Sequence, residues 1–297
     1  MVKERLMMKK SLNRMNNYLS MVKFSHTVFA MPFALIGFFI AVRLTETELN
    51  YVTFILVLLC MILARNAAMA FNRYADKEID GKNPRTALRE IPAGLIKARS
   101  ALLFVIINVI LFFVATYFIN RLTFRLSPVA VFIILGYSFT KKFTSLSHLV
   151  LGLGLSLAPI GAYLAVTGRF NIIPVLYSLA VLFWVGGFDI IYSLQDEKFD
   201  KSLQLKSIPA AIGKKKAMWV SNIFHLLAAG FVITPGLIAH MGTYYWIGSA
   251  IFLILLTYQH LLLKPNDLSR INLAFFTTNG IASVIFALFT ILDLYIS

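Results

Sequence analysis

The chain has 297 residues, 59% of them hydrophobic, with a mean hydropathy of +0.78 and a formal charge of +15. Ordinary soluble domains carry roughly 45–50% apolar residues, so this composition excludes them and indicates an integral membrane protein. The positive charge is dispersed over alternate loops rather than gathered on one soluble face, which argues against a nucleic-acid partner.

A bilayer core of about 30 Å is crossed by roughly 20 apolar helical residues. After a basic N-terminal segment (1–23), the first apolar run covers 24–43; it ends in "FIAVRL" without a clear small-x-small cleavage site and is expected to be a retained first helix. Further runs follow at 50–71, 99–119, 125–140, 147–167, 172–193, 215–238, 243–263 and 271–295, the fourth being the shortest. Period-2 alternation is absent, so helices are expected where a barrel is not. The predicted fold is all-α: a polytopic membrane protein whose single domain, 1–297, forms a bundle of nine transmembrane helices. Lys and Arg concentrate before the first span and after the second, fourth and sixth. By the positive-inside rule these loops are cytoplasmic, with the N-terminus inside and the C-terminus outside. Cys60, the sole cysteine, lies within a span and excludes an intramolecular disulfide. The five histidines stand singly, without metal-ligand spacing, and are expected to be structural or interfacial.

Acids are scarce, yet seven of the 13 fall in two short windows: Asp76, Glu78 and Asp80, then Asp189, Asp196, Glu197 and Asp200. "NRYADKEID" and "YSLQDEKFD" both end in D-x-x-x-D, 120 residues apart, each at the cytoplasmic end of an even-numbered span. This repeat predicts two related four-helix halves plus a ninth helix.

Aspartates at i and i+4 share a helix face with Cβ atoms about 5–6 Å apart, and like charges so placed repel. At the membrane boundary an uncompensated carboxylate is expensive, so a divalent cation is the natural partner. Hard oxygen ligands without a Cys or His cluster favour Mg²⁺ over zinc. Magnesium typically takes one or two carboxylates and completes its shell with water and substrate phosphates. Two facing pairs, Asp76 with Asp80 and Asp196 with Asp200, therefore describe a clamp for a diphosphate.

Cations gather beside these acids: Lys82 and Arg85 in "DGKNPRT", Lys206 in "LKS", and Lys141 and Lys142, preceded by Tyr137, in "GYSFTKKFT". Arg binds phosphate through its fork and Lys as a point charge. Lys97, Arg99 and Lys214 to Lys216 read as membrane anchors. Arg65 lies seven residues before Asn72, as Asp189 does before Asp196, and seven residues are about two helical turns on nearly the same face. Both are expected to point into the same cavity. Arg65 is expected either to pair with Asp189 or to hold an anionic group of a second substrate.

The stretches "KFSHTVFAMPFAL", "NRYADKEIDGKNPRTALREIPAG", "YSFTKKFT", "FDIIYSLQDEKFD" and "QHLLLKPNDLSRINLAFFTTNG" resemble the UbiA superfamily of intramembrane aromatic prenyltransferases, and most of all its 4-hydroxybenzoate polyprenyltransferase branch. The resemblance spans essentially the whole chain. Arg73 departs from the N-D-x-x-D-x-x-x-D of many relatives but leaves D-x-x-x-D intact. The resemblance implies Mg²⁺, a polyprenyl diphosphate donor, an aromatic acid acceptor, and a place in the inner (cytoplasmic) membrane with the site facing the cytoplasm. Residue by residue, it implies that Asn72, Asp76, Asp80, Asp196 and Asp200 hold metal. It further implies that Arg85, Tyr137, Lys141 and Lys206 hold the diphosphate, and that Arg65, Asp189 and Tyr192 line the acceptor region. Two alternatives stay open here: prenylation of a dihydroxynaphthoate for menaquinone, and a secondary transporter built from repeats.

Overall fold

A computed structural model describes residues 15–23 and 29–296. Nine long helices stand among them: α1 (Met31–Leu44), α2 (Tyr51–Ala75), α3 (Ala98–Ile119), α4 (Arg121–Thr140), α5 (Ser147–Thr167), α6 (Ile172–Ser193), α7 (Lys214–Ile238), α8 (Thr243–Leu261) and α9 (Asn279–Ile296). The described residues hold no strand, only an isolated bridge between Lys264 and Asp267. Seven membrane-length apolar helices are present among the described residues, α2 to α7 and the segment ending in α9. The shorter α1, 14 residues long, and α8 are not among them. Residues 24–28, with which the first expected span begins, lie outside the described residues, as do Lys3, Arg5, Lys9, Lys10 and Arg14.

Helix starts at one end of the bundle are set by asparagine. Asn50, Asn120 and Asn171 cap α2, α4 and α6, each side-chain oxygen accepting from a first-turn backbone N–H. Such a cap satisfies a donor that would otherwise be orphaned, typically worth about 1 kcal/mol. The opposite ends of α2 and α6 do not stop cleanly. Asp76 closes α2 and leads into a short helix, Lys77–Lys82. Likewise α6 passes through a 3₁₀ turn, Leu194–Asp196, into Glu197–Ser202.

Packing bears the mark of duplication. α2 runs along α3 as α6 runs along α7, and α4 lies against α5 as α8 lies against α9. The first helices of the two halves, α1 and α5, meet in the interior. A Cβ at Gly37 would fall 2.1 Å from the Pro159 carbonyl oxygen, so only glycine permits this seam.

The halves are filled differently. An aromatic core built on Phe33, Tyr177, Trp184, Phe252 and Phe286 occupies the second half and engages α1. The first half instead encloses an apolar cavity of about 380 Å³ walled by α2 to α5, with Arg65 its one charged lining residue among those described.

Candidate active site

Both D-x-x-x-D motifs straddle a helix junction. The Asp80 N–H donates to the Asp76 carbonyl oxygen at 2.7 Å, so the i, i+4 spacing survives the break after α2. The junctions bring bases from elsewhere in the chain onto each carboxylate. Arg85 forks onto Asp196, Nη2 to Oδ2 at 2.5 Å and Nε to Oδ1 at 3.0 Å. The same guanidinium donates through Nη1 to the Tyr192 hydroxyl at 3.1 Å. Lys141 Nζ stands 2.9 Å from Asp76 Oδ2, which also accepts from Asn72 Nδ2 at 3.1 Å. Arg89 Nη1 reaches both oxygens of Asp80 at 2.7 and 2.9 Å, and Ser207 Oγ donates to Asp200 Oδ2 at 2.7 Å.

The sequence repeat is thus a spatial pair. Arg85, from the loop after the first motif, holds an acid of the second; Lys141, ending α4, holds an acid of the first. Burial alone lowers the Arg85 pKa, but its hydrogen bonds and charge contact with Asp196 outweigh this and raise it above the ordinary value.

Tyr137 lies where the halves meet, within electrostatic reach of Arg65, Arg73, Asp76 and Asp189. With Arg65 it lines the apolar cavity. Tyr192 packs its ring on Phe275 at 4.2 Å. Lys206 joins the site through its backbone, its N–H donating to the Lys141 carbonyl oxygen at 2.7 Å, while the residue itself is exposed.

One expectation is corrected. Asp189 does not pair with Arg65; it meets His148 Nδ1 at 2.7 Å. Arg65 donates instead to the Lys23 carbonyl oxygen at 3.4 Å, and its buried Nε has no partner among the described residues. Counted from the equivalent aspartates, Arg65 lies eleven residues before Asp76 and Asp189 seven before Asp196, so Arg65 sits about one helical turn deeper, and His148, at the start of α5, is the nearer partner of Asp189. Three site residues escaped the sequence reading: Arg89, Asn83, whose amide donates to Asp196 Oδ1 at 3.3 Å, and His148. Arg89 was readable in principle, as a further base in the loop directly after the first motif. His148 offered no local signal.

Residues 30–281 match the UbiA prenyltransferase family. The chain belongs to this family. As a UbiA prenyltransferase it is an enzyme of prenyl transfer, and the transporter alternative falls away. It is 31% identical over 226 residues to the 4-hydroxybenzoate octaprenyltransferase of Nitrosospira multiformis, covering 76% of this chain and 78% of that one. The corresponding enzyme of Tolumonas auensis is 30% identical over 227 residues, 76% of this chain and 79% of its own. Among solved structures, a UbiA homologue from Aeropyrum pernix K1 is 30% identical with a TM-score of 0.81, covering 90% of this chain and 98% of that one. A UbiA homologue from Archaeoglobus fulgidus bound to GPP and Mg²⁺ shares the fold at 20% identity, with a TM-score of 0.73 over 94% of this chain and all of the other.

The donor set of this UbiA protein fits Mg²⁺. Its acids offer hard carboxylate oxygens, and Asp76 Oδ1 is buried without a hydrogen-bond partner among the described residues. No three His, Cys, Asp or Glu side chains are drawn together as a closed metal cage among the described residues. Magnesium does not need one, because it completes its shell with water and phosphate.

Proposed function

We propose that the protein transfers a polyprenyl group from a polyprenyl diphosphate to a ring carbon of 4-hydroxybenzoate, in quinone biosynthesis, at the cytoplasmic side of the inner membrane. The observation that carries this reading is the crossed pairing of the motifs, Arg85 on Asp196 and Lys141 on Asp76, which gathers acids and phosphate-type cations at one mouth.

In this reading Asn72, Asp76, Asp80, Asp196 and Asp200 hold Mg²⁺, which when bound neutralises charge building on the departing diphosphate. Arg85, Lys141, Tyr137 and Lys206 receive the diphosphate, Arg85 and Lys141 exchanging a carboxylate partner for phosphate oxygens. The prenyl tail lies in the apolar cavity between α2 and α5, where water is excluded. Arg65, in the wall of that cavity, takes the acceptor carboxylate through its fork. Tyr192, packed against Phe275, borders the acceptor, and Asp189 accepts the proton that the ring loses.

The test is turnover by protein purified in detergent, given polyprenyl diphosphate, Mg²⁺ and a panel of aromatic acids. Prenylated 4-hydroxybenzoate and pyrophosphate are expected in equal amounts, and EDTA is expected to stop both. Preferred prenylation of a dihydroxynaphthoate replaces the acceptor in this proposal, and turnover unaffected by EDTA overturns the metal site.

A further inference from the structure

Three successive residues after the second motif each grip a different part of the site. The Lys206 N–H donates to the carbonyl oxygen of Lys141, Ser207 Oγ donates to Asp200 Oδ2, and the Ile208 N–H donates to His148 Nε2 at 3.4 Å. His148 in turn meets Asp189 Oδ2 through Nδ1 at 2.7 Å. Its side chain is only 4% exposed, whereas that of Asp189 is 24% exposed.

The two contacts of His148 select its tautomer. Nε2 accepts from a backbone N–H that can only donate, so the ring proton sits on Nδ1 and points at Asp189. That hydrogen bond orients the carboxylate and occupies Oδ2, leaving Oδ1 as the basic oxygen. The backbone of Ile208 thereby sets which oxygen of Asp189 is basic, and Ser207, beside it, ties the same segment to Asp200.

We propose that His148 is a positioning residue for the proton acceptor Asp189, and that residues 206–208 couple its alignment to the metal–diphosphate motif. The proposal rests on the prenyl-transfer reading. In the reaction the allylic C–O bond breaks, its electron pair leaving with the diphosphate, and a ring π pair forms the new C–C bond. The ring C–H bond then breaks. Its electrons restore aromaticity and its proton passes to Asp189 Oδ1, and from there to water on product release. His148 keeps its own proton throughout.

A misaligned acceptor slows proton loss specifically, which the acceptor isotope reports. Turnover of 4-hydroxybenzoate is compared with that of the acid deuterated ortho to the hydroxyl. His148→Phe is expected to lower kcat about tenfold, less than the ~10²–10⁴-fold span of general acid–base catalysis. It leaves the donor KM unchanged and raises the deuterium isotope effect on kcat above that of the unmodified enzyme. His148→Asn, whose amide can still donate to Asp189, recovers part of the rate, and in an Asp189→Asn background His148→Phe has no further effect. Should His148→Phe fail to fold, the isotope effects of His148→Asn and Asp189→Asn decide the matter, since both are expected to rise. A reduced kcat with an unchanged isotope effect, or full additivity of the two substitutions, overturns the role of His148. Absence of prenylated acid from the unmodified enzyme counts instead against the function itself.

Discussion

Asp76 and Asp196 carry opposite risks. Asp76 is almost wholly buried and keeps an oxygen without a partner among the described residues, whereas Asp196 is forked by an arginine one-third exposed. Replacing either by Asn keeps volume but exchanges one acceptor oxygen for a donor amide and removes the charge that a metal and a base both need. Asp76→Asn and Asp196→Asn are each expected to abolish prenyl transfer while the protein still elutes as a folded species from size-exclusion chromatography. Activity near that of the unmodified enzyme in either variant would falsify the paired metal site. Arg65 makes a separate case. It stands two helical turns from Asn72, lines the apolar cavity and has a buried Nε free among the described residues. A planar carboxylate suits that fork, and Lys keeps the charge but not the bidentate geometry. Arg65→Lys is therefore expected to raise the acceptor KM by one to two orders of magnitude, on the scale of a charge-assisted hydrogen bond of about 1.5–3 kcal/mol. The donor KM is expected to stay put; a shift of donor rather than acceptor KM returns Arg65 to the diphosphate site.

The long helices were legible because each is an apolar run bounded by polar residues. The expected spans 147–167 and 172–193 coincide with α5 and α6, and the cap Asn171 stands in the sequence directly before α6, as Asn120 does before α4. Elements decided by tertiary contacts were not legible. The short helices after α2 and α6 begin directly after Asp76 and Asp196, which meet bases from distant segments, Lys141 and Arg85. The turn before α9 is a π segment, Leu273–Thr278, held by Asn279, whose amide donates to the Ala274 and Phe275 carbonyl oxygens and to Gln259 Oε1, while its Oδ1 accepts from Trp184 Nε1. Two histidines that looked solitary, His225 and His260, meet across α7 and α8 at 2.6 Å. Neither contact has a local signature. Asn279→Leu leaves Trp184 Nε1 and Gln259 Oε1 buried without these partners, each costing about 1–3 kcal/mol. Its thermal midpoint in detergent is expected to fall clearly below that of the unmodified protein; an unchanged midpoint removes the network from the account of α9. The segments 72–97 and 194–214 carry the motif acids together with Arg85 and Arg89, and in the proposed reaction diphosphate competes with those acids for the same cations. Protease cleavage within them is expected to slow with Mg²⁺ and a non-hydrolysable polyprenyl diphosphate together, and unchanged cleavage in the presence of both sinks this coupling.

At the scale of the whole molecule, duplication puts the two motifs at the same end of the bundle: α2 and α6 are equivalent helices, joined through the α1–α5 seam at Gly37 and Pro159. Their capped starts, Asn50 and Asn171, lie at the other end, so one face is built for chemistry and the other for closure. Charge assigns these faces to compartments. Lys82, Arg85, Arg89 and Lys97 crowd the loop after α2, and Lys198, Lys201 and Lys206 the loop after α6, whereas the turn between α1 and α2 carries acids, Glu46 and Glu48. Loops rich in Lys and Arg are retained in the cytoplasm, which sets the expected orientation of the active site. The protein lends itself to a direct test because Cys60 is its only cysteine. In a Cys60→Ala background, a single cysteine is introduced either at Lys97, beside the first motif loop, or at Thr47, in the opposite turn. A membrane-impermeant thiol reagent is expected to label Lys97→Cys only in inverted membrane vesicles and Thr47→Cys only in right-side-out ones. The reverse pattern places the diphosphate mouth outside the cell, away from any cytoplasmic supply of donor, and overturns both the topology and the proposed site of reaction.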